Sequence, residues 1–184
     1  METGMNTELK IGNKMFQKKG HTYVMGILNV TPDSFSDGGK WNDKDRALRH
    51  VEEMLADGTD ILDIGGESTR PGYTLLSDEE EIARVVPIIE AVKARFDVPI
   101  SLDTYKSKVA QAGIAAGADL INDIWGLKYD ERMAGVIAEK QLACCLMHNR
   151  HEAVYNHFLE DLVNDMKESV AIARKAGVAD EKIM

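Results

Sequence analysis

Two rhythms of apolar residues alternate along this chain. Short aliphatic blocks, bounded by Gly, Asp and Asn, give way to longer stretches in which apolar residues return every three or four positions. The first clear block, residues 23–28, stops at Asn29 and runs into Val30-Thr31-Pro32-Asp33-Ser34-Phe35-Ser36-Asp37-Gly38-Gly39. That is turn chemistry, so the pattern predicts a buried strand with a loop at its carboxyl end. Residues 9–16 and 21–28 flank Gln17-Lys18-Lys19-Gly20 and predict a β-hairpin. Asn42-Asp43 opens a helix with apolar Ala47, Leu48, Val51, Met54 and Leu55, stopped by Gly58. A second strand, 60–64, ends at Gly65-Gly66 and leads into a loop, 67–73.

Ser77 and Glu80 have capping-box spacing for the next helix, whose stripe is Ile82, Val85, Val86, Ile89, Val92 and Phe96. Pro87 inside it predicts a kink. Residues 98–102 form a third strand and 106–116 an Ala-rich helix closed by Gly117. A fourth strand, 119–121, precedes a helix at about 130–140. A fifth strand, 142–147, precedes an amphipathic helix at about 153–176. Its stripe is Val154, Phe158, Leu162, Met166 and Val170, with Gly177 as the stop. Residues 182–184 resemble the start of a sixth strand.

Strand and helix thus alternate with short connections, which means a parallel sheet with helical crossovers. No Gly-x-Gly-x-x-Gly follows the first strand, and no Walker glycine loop occurs. Each strand ends in a polar or ionisable residue: Asn29, Asp63, Asp103, Asn122 and His148. Functional groups spread over many strand ends mark an α/β fold of the (β/α)8 TIM-barrel type. Such a barrel takes about 250 residues, whereas this chain has 184. The expectation is one barrel domain over 1–184, incomplete at its C-terminal side, with residues 1–21 as an N-terminal arm and hairpin.

Composition narrows the partners. Apolar residues make up 44% and charged residues 29% of the chain, as in ordinary globular proteins. A net charge of -9 argues against nucleic acid, which needs a basic face. It does not argue against an anionic ligand, because a local Arg or a metal can outweigh it. No apolar run approaches the roughly 20 residues that span a bilayer, and residues 1–10 lack a signal-peptide core. Cys144 and Cys145 are adjacent on a strand and point to opposite faces, so they do not form a disulfide with each other. These features predict a cytoplasmic protein without membrane contact.

Four motifs resemble dihydropteroate synthases in order along the chain. They are the loop 29–39, Gly66-Glu67-Ser68-Thr69-Arg70-Pro71-Gly72, Ser101-Leu102-Asp103-Thr104-Tyr105-Lys106, and Ile121-Asn122-Asp123. The resemblance implies condensation of a dihydropterin diphosphate with p-aminobenzoate, releasing diphosphate. It implies small-molecule substrates, a Mg²⁺ cofactor linked to Asn29, and a homodimer formed through segments beyond this chain. The family's pterin-binding Asp and Asn fall on Asp103 and Asn122. A carboxylate accepts two N–H bonds from an aminopyrimidine edge, and an amide both accepts and donates. The plain alternatives are a helix cap for Asp103 and a turn for Asn122. For Asp63 a structural bond to loop backbone is the favoured reading.

Arg70 offers a planar fork for diphosphate or for the p-aminobenzoate carboxylate, and the Thr69 hydroxyl can bond either substrate. Asp33 and Asp37 could stabilise developing positive charge. Phe35 could pack on the aminobenzoate ring beside Pro71, or pin its loop to the rim. Met147 would line the pterin pocket or pack in the core. His148, His151 and His157 lack zinc-site spacing. Two other readings compete: a methyltetrahydrofolate-binding methyltransferase barrel, and a catalytically incomplete pterin-binding subunit completed in trans. A strand-end Asp with a Gly-rich loop, a pterin-contacting Lys and an Arg-x-His, all later motifs of the family, do not occur in this sequence.

Overall fold

The computed structural model describes residues 8–17, 19–30, 39–67 and 75–184, with only the backbone for 39–43. Five strands lie side by side in chain order: β3 Met25–Asn29, β4 Ile61–Gly65, β5 Ile100–Asp103, β6 Leu120–Asp123 and β7 Ala143–Leu146. All four neighbouring pairs are parallel. Helices α1 Gly39–Ala56, α2 Asp78–Arg95, α3 Ser107–Ala116 and α4 Met133–Lys140 connect them, and α5 Phe158–Ala176 follows β7. Parallel strands in sequential order, joined by helices, form the wall of a (β/α)8 barrel. Ile183 then pairs in parallel with Cys144, and the Met184 N–H donates to the Cys144 carbonyl at 2.9 Å. Of the sixth strand expected over 182–184, Ile183 makes a single parallel bridge, while Lys182 closes a short 3-10 turn, Asp180–Lys182.

The two-residue period of the strands sorts their side chains. Leu28, Ile64, Leu102, Ile121 and Cys144 stand in one register row and are buried in the main core with residues from the helices. The next row is Asn29, Gly65, Asp103, Asn122 and Cys145. It faces the inner side of the barrel wall. Cys144 and Cys145 are both free, and burial pushes the Cys144 thiol up to about 12.

The N-terminal hairpin differs from the sequence reading. It consists of β1 Glu8–Ile11 and β2 Lys14–Gln17, joined at Gly12-Asn13, while residues 25–29 belong to the parallel sheet. Gly12 has φ +59, and a Cβ there would lie 2.7 Å from Asp119 Oδ1. Only glycine fits that turn. Leu9, Ile11 and Phe16 pack against Ile61, Leu120 and Ala143, so the hairpin covers the amino end of the inner face.

Three helix starts also shift. α1 begins at Gly39, before Asn42-Asp43. α4 begins at Met133, because Asp130 is engaged elsewhere: its carboxylate accepts the Ser107 N–H at 2.9 Å and the Arg132 N–H at 3.0 Å. α5 begins at Phe158, after Asp161 accepts the backbone N–H groups of Asn156 and His157. Val154 and Phe158 are therefore 66% and 56% exposed, and the inward face of α5 is carried by Met166, Ser169, Val170 and Ala173. The capping box of α2 is present as predicted, with Ser77 and Glu80 bonding each other's backbone N–H. Pro87 lies on the exposed side of α2, which continues to Arg95.

α3 approaches β5 closely. A Cβ on Gly113 would lie 2.2 Å from Leu102 Cδ2, and Leu102 is fully buried. Gly113→Ala gains helix propensity of about 1 kcal/mol but overpacks the core. We expect a net loss of about 1–2 kcal/mol, read by urea unfolding; unchanged or raised stability would contradict this packing.

Candidate active site

The inner-face row places an amide, a glycine, a carboxylate and a second amide on four consecutive strands. Asp63 sits one layer below, in mid-strand on β4, opposite Ser101. Its buried carboxylate accepts the Ser101 hydroxyl at 2.6 Å and Asn122 Nδ2 at 3.2 and 3.4 Å. It bonds side chains of neighbouring strands rather than the loop backbone that the sequence suggested. Burial raises the Asp63 carboxyl above its usual value, and the bonds from Ser101 and Asn122 offset part of that rise.

Asp103 ends β5, and among the described residues no group donates to its carboxylate. It does not cap α3: Lys106 holds that position and makes no side-chain cap bond. Desolvation, with the carboxylates of Asp63, Glu81, Asp123 and Glu67 nearby, pushes Asp103 up to about 7. Asn122 lies within β6, so it is not a turn residue. Asn29 ends β3 and is exposed. A Cβ on Gly65 would be 3.4 Å from Asp103 Oδ2 and 3.8 Å from Asn29 Oδ1. The glycine thus keeps open the space between the two oxygens.

A second buried cluster lies at the carboxyl end of β4. Lys106 Nζ donates to Glu67 Oε2 and Glu81 Oε2, both at 2.7 Å, and to the Leu76 carbonyl at 2.9 Å. The Tyr105 hydroxyl and the Leu76 N–H donate to Glu67. One ammonium therefore ties both ends of the 67–76 segment to α2. Burial would raise Glu67, but the bonds from Lys106 and Tyr105 outweigh it and hold the carboxyl below its usual range. In Glu81 burial prevails, and its carboxyl is raised despite the Lys106 bond.

Sequence reasoning passed over this cluster. Glu67, Tyr105 and Lys106 stood inside the motifs, and Glu81 stood four residues before Val85 on the apolar stripe of α2. A carboxylate on an apolar stripe was the available signal, since buried charges need partners.

Asp33, Phe35, Asp37, Thr69, Arg70 and Pro71 lie outside the described residues. Met147 follows β7 and is 46% exposed, which removes the core-packing reading. His148 also lies beyond β7, and its Nε2 is 2.8 Å from Asp165 Oδ2. Arg150 Nε donates to the same oxygen at 2.6 Å, and that bond is the main reason Asp165 falls to about 2. His151 stacks on Trp125, with ring centroids 4.6 Å apart. Among the described residues, no group of three or more His, Cys, Asp or Glu is placed to hold a metal ion. No described helix is long and apolar enough to cross a membrane.

Residues 25–184 match the family of pterin binding enzymes. The chain belongs to this family. The match starts at the first residue of β3, so it spans all five parallel strands of the pterin-binding fold and omits the hairpin. A dihydropteroate synthase from Clostridium beijerinckii is 60% identical over 176 residues, covering 96% of this chain and 65% of the relative. The structure of a dihydropteroate synthase from Clostridium difficile, in the presence of pteroic acid, superposes with TM-score 0.86 at 47% identity. That match covers 88% of this chain and 62% of the other. The Xanthomonas albilineans dihydropteroate synthase with 4-aminobenzoic acid gives TM-score 0.89 at 37% identity, over 97% of this chain and 65% of the other. The chain therefore spans a little under two thirds of the length of these relatives.

Proposed function

We propose that this chain carries the pterin-holding part of a dihydropteroate synthase. In that reaction the amine nitrogen of p-aminobenzoate bonds to the methylene carbon of a dihydropterin diphosphate. The carbon–oxygen bond breaks, diphosphate leaves with the electron pair, and the amine gives up a proton. The observation that carries this reading is Asp103: a carboxylate at a strand end on the inner face, with no described donor, beside Asn122. Such a pair is complementary to the donor-rich edge of an aminopyrimidine. The relatives, named dihydropteroate synthases, support the same assignment.

Within this reading Asp103 and Asn122 bind the pterin, with Met147 against its ring. Arg70 and Thr69 hold diphosphate or the aminobenzoate carboxylate, with Pro71 beside them. Asp33 stabilises positive charge at the methylene, and Phe35 packs on the aminobenzoate. The donor set fits Mg²⁺ held chiefly by substrate. Asn29 offers one neutral oxygen next to open space over Gly65, and Mg²⁺ commonly takes one or two protein ligands plus phosphates. Bound there, the ion would neutralise charge on the diphosphate. The reading includes a cytoplasmic location.

The test is p-aminobenzoate-dependent diphosphate release from dihydropterin diphosphate with Mg²⁺. We expect turnover by the chain, or by the chain extended with the remaining segment of the Clostridium beijerinckii relative. Arg70→Ala should lower it by about a hundredfold or more, the loss of a bidentate anion contact. An inactive extended chain would overturn the proposal.

A further inference from the structure

Asn122 can face a ligand in two ways, since its amide oxygen and nitrogen are alike in shape and opposite in hydrogen bonding. Its inner neighbour decides which. An ionised carboxylate has no proton to give, so Asp63 can only accept, and the Asn122 amine must turn towards it. Ser101 donates to the same carboxylate at 2.6 Å and fills a second acceptor position. The Asn122 carbonyl oxygen is left for the open carboxyl end of the sheet. Asp103, one strand away in the same register row, offers acceptors only when it is ionised. The ionised Asp103 carboxylate and the Asn122 carbonyl oxygen then present acceptors side by side.

We infer that Asp63 is a positioning residue that fixes the polarity of the Asn122 amide, so that the site selects ligand edges that donate hydrogen bonds and rejects those that accept. The inference rests on the pterin-binding reading above and adds to it the residue that sets specificity. Asp63 reaches the ligand only through Asn122. A site with paired acceptors discriminates sharply, because an accepting ligand leaves buried oxygens facing each other.

The test compares two probes on the 184-residue chain by calorimetry. 6-Hydroxymethylpterin carries a 2-amino donor; 6-hydroxymethyllumazine carries a 2-oxo acceptor in its place. The parent should prefer the pterin on the order of a hundredfold. In Asp63→Asn two amides face each other and pair in either sense, so the preference should narrow by roughly tenfold. In the exchange variant Asp63→Asn with Asn122→Asp, the new amide donates to the new carboxylate, which again only accepts. The preference should return, with net charge unchanged. A merely structural Asp63 predicts no such rescue.

A separate readout needs no ligand. The Asn122 side-chain amide protons should exchange with solvent more slowly in the parent than in Asp63→Asn, as seen by NMR. Equal rates would overturn the positioning role whether or not a pterin binds. Slow exchange in a parent that binds neither probe would instead overturn the pterin reading. An unchanged preference in Asp63→Asn, or no recovery in the exchange variant, would overturn the specificity claim while leaving that reading intact.

Discussion

Asp103→Asn should lower pterin affinity by about 10²–10³-fold. The estimate takes two charge-assisted hydrogen bonds at about 1.5–3 kcal/mol each, partly replaced by the neutral amide oxygen. Isothermal titration with 6-hydroxymethylpterin above about pH 8 measures it. A loss below fivefold would mean that the carboxylate does not read the ligand. The same substitution should stabilise the free protein at that pH. The folded Asp103 value of about 7 lies above the ordinary 3.8, so between these values the native state holds a proton that the unfolded chain has released. Stability therefore falls as pH rises through that window and levels off above it. Asp63, Glu81 and Asp123 are raised in the same direction, so the slope should shrink in Asp103→Asn without vanishing. A site that binds tightly by crowding acceptors thus costs the empty protein stability.

Lys106→Met should have the largest effect on folding. The ammonium lies between two carboxylates whose side chains are 4% and 2% exposed. Removing one member of a buried ion pair costs about 3–5 kcal/mol, because the partner charge is left uncompensated. Urea unfolding measures the loss. Adding Glu67→Gln and Glu81→Gln to the same chain should recover most of it, which separates charge from packing volume. The loss should also narrow on acidification. Glu67 is held low in the parent, so its contribution is present above the unfolded value of 4.5 and disappears as pH falls through the folded one. Without Lys106 both carboxyls take up protons more readily, and protonation relieves the variant while it weakens the parent. A loss that stays constant from neutral to acid pH would contradict the ion-pair account.

The barrel wall was legible because period-two strands and period-3.6 helices alternate, and because strand ends carried Asn29, Asp103 and Asn122. Position picked out five residues, these three with Asp63 and His148, and the family resemblance singled out the three that the register row brings together. The hairpin was misplaced for a local reason. The polar run 17–20 looked like a turn, yet Gly12-Asn13 supplied the positive φ that a two-residue turn requires. The starts of α4 and α5 moved because side chains bond backbone N–H groups there. Asp130 reaches Ser107, 23 positions away, and Asp161 bonds Asn156 and His157 just ahead of it, and neither leaves a periodic trace. The Glu67–Lys106–Glu81 cluster joins residues from three separate elements. Each motif contained a piece of it, but pairing a carboxylate with an ammonium 39 positions away requires the fold. Asp63 was read as a strand end, but it lies in mid-strand on β4, and its bond from Asn122 had no sequence signal.

The role proposed for Asp103 is to hold a pterin as an ionised carboxylate on the inner face. The most direct measurement follows the ¹³C carboxyl resonance of Asp103 at about pH 6, below its folded value, while 6-hydroxymethylpterin is added to the 184-residue chain. A mostly protonated carboxyl is expected in the free protein, moving to the ionised position as the pterin binds. A resonance that stays protonated while the pterin binds, or a chain that binds no pterin at all, would contradict it.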